Sequence, residues 1–224
     1  MTKKNQHTKI ATSILAGDFA CLGDEAKRIE ASGADYLHID VMDGHFVNNI
    51  TFGPQAVAAI NRSTKMFLDV HLMIYNPFEY VERFIEAGAD SITFHFEATE
   101  DVEETLDYIH KCNIRAGLAF CPETPESLVI KYLDKCDMML LMTVDPGHGG
   151  QGFKPEVLEK IKFTRDICNK LNIALDIQVD GGINPETAKQ CAEAGANVLV
   201  SGSYIFTSKN LAETVQQLRK SSKR

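Results

Sequence analysis

ASGADYLHIDVMDGHF, residues 31–46, closes a helix-like run at Gly33 and then enters a short apolar run interrupted by His38, Asp40 and Met42. Side chains alternate along a strand, so these three share one face while Ile39 and Val41 share the other. A solvated strand tolerates such a pattern. A strand buried on both faces does not, because a buried charge needs a partner or a metal. The same frame recurs in EAGADSITFHF (86–96) and EAGANVLVSG (193–202). Gly33, Gly88 and Gly195 suit the left-handed position that ends a helix. The runs that follow have the length and character of buried parallel strands.

Working outward from these anchors, strands are predicted near 9–15, 35–40, 66–72, 91–96, 115–120, 138–143, 175–180 and 197–201. Helical patterns fall between them at 24–32, 54–62, 77–87, 101–111, 125–135, 155–171, 185–194 and 210–220. Pro77, Pro125, Pro155 and Pro185 each suit a first helical turn, and Asn76 and Asn184 suit the capping position before it. No Pro-, Ser- or Gly-rich linker divides the chain, so residues 1–224 read as one domain. Strict alternation of this kind points to an α/β fold, the (β/α)8 TIM barrel. An open doubly wound sheet is the alternative, weakened by the lack of a GxGxxG turn after the first strand. In a barrel one strand face lies under helices and the other fills the interior. His38 and Asp40 then stand at the C-terminal end of strand 2, where such barrels build their sites.

The composition, 44% hydrophobic and 24% charged, is that of a soluble globular protein. A formal charge of −8 argues against a sequence-independent nucleic-acid surface, but not against phosphorylated small molecules, which backbone N–H groups can hold. The basic residues near the ends, Lys3, Lys4, Lys220, Lys223 and Arg224, read as solvated tails. Six scattered cysteines without a CxxC pair read as reduced and mostly packed. MTKKNQHTK lacks an apolar signal core and no apolar run approaches membrane-spanning length, so a cytoplasmic protein without membrane contact is expected.

Polar intrusions recur at other strand ends. Asp69 and His71 share a face with Met73 in MFLDVHLM, and Asp180 ends DIQVD. Ser13, His95 and Glu97 stand at the tips of strands 1 and 4. A lone strand histidine is more often a hydrogen-bonded core residue than a ligand. Four groups at matching ends of three strands, His38, Asp40, His71 and Asp180, point instead to a metal site. Two imidazoles and two carboxylates suit Zn, Fe(II), Mn or Co rather than Ca or Mg. Glycine clusters in PGHGGQG (146–152), DGG (180–182) and SGS (201–203) fall after strands 6, 7 and 8. Singly they mean tight turns. Together on one rim they suit a phosphate cradle. Met42, Met73 and Met142 fit either core filling or an apolar lid over a reacting centre.

SIL (13–15), DFA (18–20), HIDVMDGHFV (38–47), DVHLM (69–73), PGHGGQGF (146–153), VDGGI (179–183) and GSYIF (202–206) together resemble the ribulose-phosphate 3-epimerase family, in order and over nearly the whole chain. The resemblance implies a ribulose-phosphate-binding (β/α)8 barrel, an isomerase of carbohydrate metabolism in the pentose phosphate pathway. It would interconvert D-ribulose 5-phosphate and D-xylulose 5-phosphate with one divalent metal and a sugar-phosphate substrate, usually as a homo-oligomer. Carried over residue by residue, it makes His38, Asp40, His71 and Asp180 the metal ligands, and Asp40 and Asp180 the acid/base pair. His71 and Ser13 would lie at the substrate, Met42, Met73 and Met142 around the reacting carbon. Gly149, Gly150, Gln151, Gly182, Gly202 and Ser203 would hold the phosphate. Asp69 reads as an orienter of a metal ligand.

The chain departs from the family pattern at His148 (usually Phe), Thr12 and Asn48 (usually Pro), Asp145 (commonly Asn or Glu) and Gly152 (usually bulkier). None of these removes a ligand or an acid/base candidate. His148 and Gly152 flank the phosphate loop and so bear on substrate length, since relatives of this pattern act on D-allulose 6-phosphate. A metal-dependent hydrolase and a non-catalytic sugar-phosphate binder are the rival classes. The first would release a cleavage product, and the second would leave the C3 hydrogen in place.

Overall fold

The computed structural model describes residues 8–223. Lys3, Lys4, Arg224 and the rest of MTKKNQH lie outside the described residues, whereas Lys220 and Lys223 are exposed. Eight parallel strands close into a barrel in sequence order: β1 (Lys9–Ser13), β2 (Tyr36–Met42), β3 (Phe67–Met73), β4 (Ser91–His95), β5 (Arg115–Phe120), β6 (Met138–Met142), β7 (Asp176–Asp180) and β8 (Val198–Ser201). Helices cover it: α1 (Leu22–Ala31), α2 (Pro54–Asn61), α3 (Phe78–Glu86), α4 (Val102–Lys111), α5 (Glu126–Val129), α6 (Val157–Leu171), α7 (Pro185–Ala194), α8 (Ser203–Phe206) and α9 (Leu211–Ser221). The fold is therefore the expected (β/α)8 barrel. Among the described residues, no helix is long and apolar enough to cross a membrane.

The repeated glycine frame works as expected. Gly33, Gly88 and Gly195 follow α1, α3 and α7 with φ of 76°, 101° and 131°, a region where a Cβ is penalised. Asn184 caps α7 in a reciprocal capping box with Thr187, and Pro185 takes the first turn.

Local expectations fail where side chains compete for the backbone. Strand 1 stops at Ser13 instead of running to residue 15, because the Ser13 hydroxyl accepts from Leu15 N and starts a 3-10 turn over Ile14–Ala16. Asn76 does not cap α3. It sits at φ 48° with its amide donating to Glu79, and Pro77 occupies the cap position. Pro155 precedes α6 by two residues. The helix expected over 125–135 is only one turn, α5, followed by a 3-10 turn at Ile130–Tyr132 that seats buried Val129 and Tyr132 three residues apart. The short α8 is an additional element that the helical periodicity of the sequence does not mark.

Register makes the strand alternation three-dimensional. Leu37, Ile39 and Val41 of β2, with Leu68, Val70 and Leu72 of β3, face outward into the main apolar core beneath the helices. The opposite faces fill the barrel. Its N-terminal end is closed by Asp176, which accepts from Lys9 Nζ and Arg115 at 2.9 Å each, with Tyr36 Oη bridging the two cations. Towards the C-terminal end the pairs are His38 with Asp69, Asp40 with His71, and Met42 with Met73.

Candidate active site

All seven residues of β2 are buried, His38 completely and Asp40 with only an edge on the cavity above it. One ligand-type atom from each of His38, Asp40, His71 and Asp180 lies within 4.8 Å of the other three. His38 Nε2 stands 3.3 Å from Asp40 Oδ1 and 3.8 Å from Asp180 Oδ2. His71 Nδ1 stands 3.1 and 3.9 Å from the same two oxygens. Two strands that pair directly and a third across the barrel thus bring four donors to one point.

Neighbours fix how these rings are turned. His38 Nδ1 lies 2.8 Å from Asp69 Oδ2, which also accepts from Gln178 Nε2 at 2.6 Å. The His38 proton facing Asp69 leaves Nε2 for the cluster. That nitrogen is buried and has no hydrogen-bond partner among the described residues. A buried polar atom of this kind calls for an occupant. An N2O2 donor set with one orphaned imidazole nitrogen fits a divalent transition metal or zinc. The electrostatics agree. Burial opposes charge on His38, yet Asp40 and Asp69 outweigh it and hold the imidazole well above its ordinary value. A site this rich in negative charge favours a cation.

The two carboxyls are driven apart. Burial opposes ionisation of Asp40, but His38 and then His71 prevail and hold it well below the usual carboxylate range. Burial and the nearby Asp40 charge push Asp180 up, against the attraction of His38. One carboxylate held ionised beside a carboxyl raised to about 7 is an arrangement that acid/base chemistry uses. Ser13 Oγ donates to Asp40 Oδ2 at 2.6 Å, and Thr51 Oγ1 donates to the Asp40 carbonyl.

Above the cluster opens a cavity. Its walls include Ser13, Asp40, Met42, Met73, Met142, Gly149, Gly150, Gln151, Asp180, Gly182, Gly202 and Ser203, the residues singled out in the sequence. His38 and His71 are fully buried beneath this floor rather than on the wall. Gln151 folds back, its amide donating to the carbonyls of Asp145 and His148. Gly182 has φ 65°, and a Cβ there would meet Phe153 N at 2.9 Å, so only glycine lets this loop lie against its neighbour. His148 and Asp145 also line the cavity. Gly152 has open space around a Cβ, and Thr12 and Asn48 are not among the lining residues.

Gln178 carries no functional signal of its own in the sequence beyond the alternation in DIQVD, which places it on the inward face with Asp180. His95 and Glu97 stand out in the sequence only as polar residues at a strand tip. His95 is fully buried, with Nε2 3.0 Å from His71 Nε2 and Nδ1 3.2 Å from Glu97 Oε2.

The chain is similar to known proteins in both sequence and shape. It is 54% identical over 220 residues to the ribulose-phosphate 3-epimerase of Chlamydia muridarum, covering 96% of each chain. It is 46% identical to that of Bacillus subtilis, covering 94% of this chain and 98% of the relative. Its backbone matches the crystal structure of KGPDC from Streptococcus mutans at a TM-score of 0.73, covering 98% of this chain and 99% of that one at 15% identity, a likeness of fold. The family model for the ribulose-phosphate 3 epimerase family matches residues 9–206, and with relatives about half identical along their whole length, this chain belongs to that family.

Proposed function

We propose that this protein is a metal-dependent ribulose-phosphate 3-epimerase, interconverting D-ribulose 5-phosphate and D-xylulose 5-phosphate by proton transfer at C3. The observation that carries it is the convergence of Asp40 and Asp180, carboxyls from two different strands, at the floor of a glycine-rimmed cavity. Epimerisation beside a ketone removes a proton from one face of C3 and returns one to the other. A single base does not easily reach both faces, whereas carboxyls from β2 and β7 do. Asp40, ionised and held by Ser13, takes the C3 proton of one epimer. Asp180, protonated, delivers its proton to the opposite face, and the reverse reaction exchanges their roles. The species between is a 2,3-enediolate.

His38, Asp40, His71 and Asp180 would hold one divalent cation, Zn, Fe(II), Mn or Co. Such a cation, when bound, supplies Lewis-acid stabilisation of the enediolate charge. Met42, Met73 and Met142 would exclude water from the reacting carbon. Gly149, Gly150, Gly182, Gly202 and Ser203 would offer backbone N–H groups to the phosphate, while Gln151 keeps its loop in shape. The same residues act as a single catalytic domain in this reading.

A hexulose phosphate such as D-allulose 6-phosphate is the alternative substrate, and the names of the relatives do not favour it. The test is NMR in D2O with apo protein reloaded with each metal, offering both sugars at equal concentration. Deuterium entering C3 with epimer formed, faster on the pentulose, is the expected result. Absence of exchange with either sugar under every metal would overturn the reading.

A further inference from the structure

Beside the proposed metal ligands a second polar chain runs outward through β4. His71 Nε2 faces His95 Nε2 at 3.0 Å. His95 Nδ1 faces Glu97 Oε2 at 3.2 Å. The other Glu97 oxygen accepts from Cys121 N at 2.9 Å and from the Thr124 hydroxyl. His95 is fully buried, packed against the His71 ring and against Phe46 at a centroid distance of 4.8 Å.

Two readings compete for this group. Cys121 Sγ lies 3.7 Å from His95 Nδ1, so His95, Glu97 and Cys121 have the spacing of a second metal site. Proton bookkeeping decides between them. His71 presents Nδ1 to the ligand cluster, and a ligating nitrogen must carry its lone pair there. Its proton then sits on Nε2 and must be donated. The atom facing it is His95 Nε2, which therefore accepts. A neutral imidazole has one N–H, so the His95 proton is on Nδ1 and points at Glu97. A protonated Nδ1 has no lone pair for a second metal. Glu97 can play its part because Oε1 is anchored by two donors, leaving Oε2 turned to the ring.

We propose that His95 and Glu97 are positioning residues that lock His71 in the Nε2–H tautomer, and that the His95/Glu97/Cys121 group is this relay and holds no metal. The inference rests on the four-ligand metal reading above. It places the orientation of the two ligating histidines in different hands: Asp69 and Gln178 for His38, His95 and Glu97 for His71.

Glu97→Gln is the sharp variant, being the same size and at the half-exposed outer end of the chain. With its carbonyl oxygen kept by Cys121 N, the new NH2 faces His95 Nδ1 and demands a lone pair there. The His95 proton moves to Nε2 and opposes the His71 N–H. His95→Gln, in contrast, keeps an acceptor within reach of His71. The measurements are zinc affinity by competition with a chromophoric chelator, zinc stoichiometry, and 15N-histidine NMR of the zinc-loaded protein. Wild type is expected to bind one zinc with a protonated, pyrrole-type His71 Nε2. Glu97→Gln should lose about 10- to 100-fold in zinc affinity and shift the His71 nitrogen signals, while His95→Gln stays within about threefold of wild type. Glu97→Gln matching wild type in affinity and in the His71 signals would overturn the proposal. So would a second zinc in wild type that Cys121→Ser abolishes. A wild type that takes up no zinc would instead overturn the four-ligand reading, and this inference with it.

Discussion

Asp40 and His71 stand opposite one another in the β2–β3 register, and the 3.1 Å between Asp40 Oδ1 and His71 Nδ1 turns a carboxylate and a ring of the next strand toward one ligand position. The second oxygen of Asp40 belongs to Ser13 on the strand on its other side. One carboxylate thus bonds to β1 and shares a ligand position with β3 at the floor of the cavity. Its substitution should change chemistry more than stability, because asparagine keeps the shape.

Asp40→Asn and Asp180→Asn should each lower turnover by about 10²- to 10⁴-fold, the scale of a lost general acid or base. Turnover and C3 deuterium incorporation, measured on metal-loaded variants, check this. Near wild-type rates in either would remove that residue from the proton-transfer pair.

Asp69 is fully buried and accepts from both His38 and Gln178. Both donors meet the same oxygen, Oδ2, which an asparagine carbonyl would still supply, so Asp69→Ala is the variant that removes the acceptor. Metal affinity should fall by about 10- to 100-fold, as read by Co(II) titration. Unchanged affinity would mean that His38 holds its orientation through packing alone.

Asp176 gives a pH signature at the far end of the barrel. Burial opposes its ionisation, but hydrogen bonds from Arg115, Lys9 and Asn197 outweigh it and lower its pKa below the ordinary 3.8. A carboxyl whose folded pKa is depressed contributes stability that is complete above the unfolded value and is lost as pH falls through the folded one. The urea midpoint should therefore drop steeply below about pH 4 in wild type. Asp176→Asn should be less stable at neutral pH, with a shallower acid limb. Parallel acid limbs in the two proteins would rule this out.

Gly182→Ala tests the proposed phosphate rim. The residue would carry a Cβ at φ 65° and drive it to 2.9 Å from Phe153 N. Left-handed backbone alone costs a non-glycine residue about 1–2 kcal/mol. The variant should show a KM raised about tenfold or more, on the scale of the one or two hydrogen bonds lost from a phosphate cradle. Its Tm should also drop by several degrees. A KM equal to wild type would place the phosphate elsewhere.

The sequence by itself determined what local chemistry can determine. Gly33, Gly88 and Gly195 marked helix ends because only a residue without Cβ takes those backbone angles freely. The alternation in LHIDVM assigned His38, Asp40 and Met42 to one face because the pleat allows no other arrangement, and eight such units implied closure. Boundaries were lost where a side chain outbid the helix or strand, as Ser13 and Asn76 did. Which polar residue meets which was decided by tertiary structure alone. Asp69 shares a strand face with His71, two residues away, yet it orients His38 on the neighbouring strand, and His71 instead turns to His95. Residues two apart on one face are separated by nearly 7 Å along the strand, whereas paired strands bring side chains to about 5 Å. The partnerships of the site are therefore set by register and barrel closure, and these are properties of the assembled sheet.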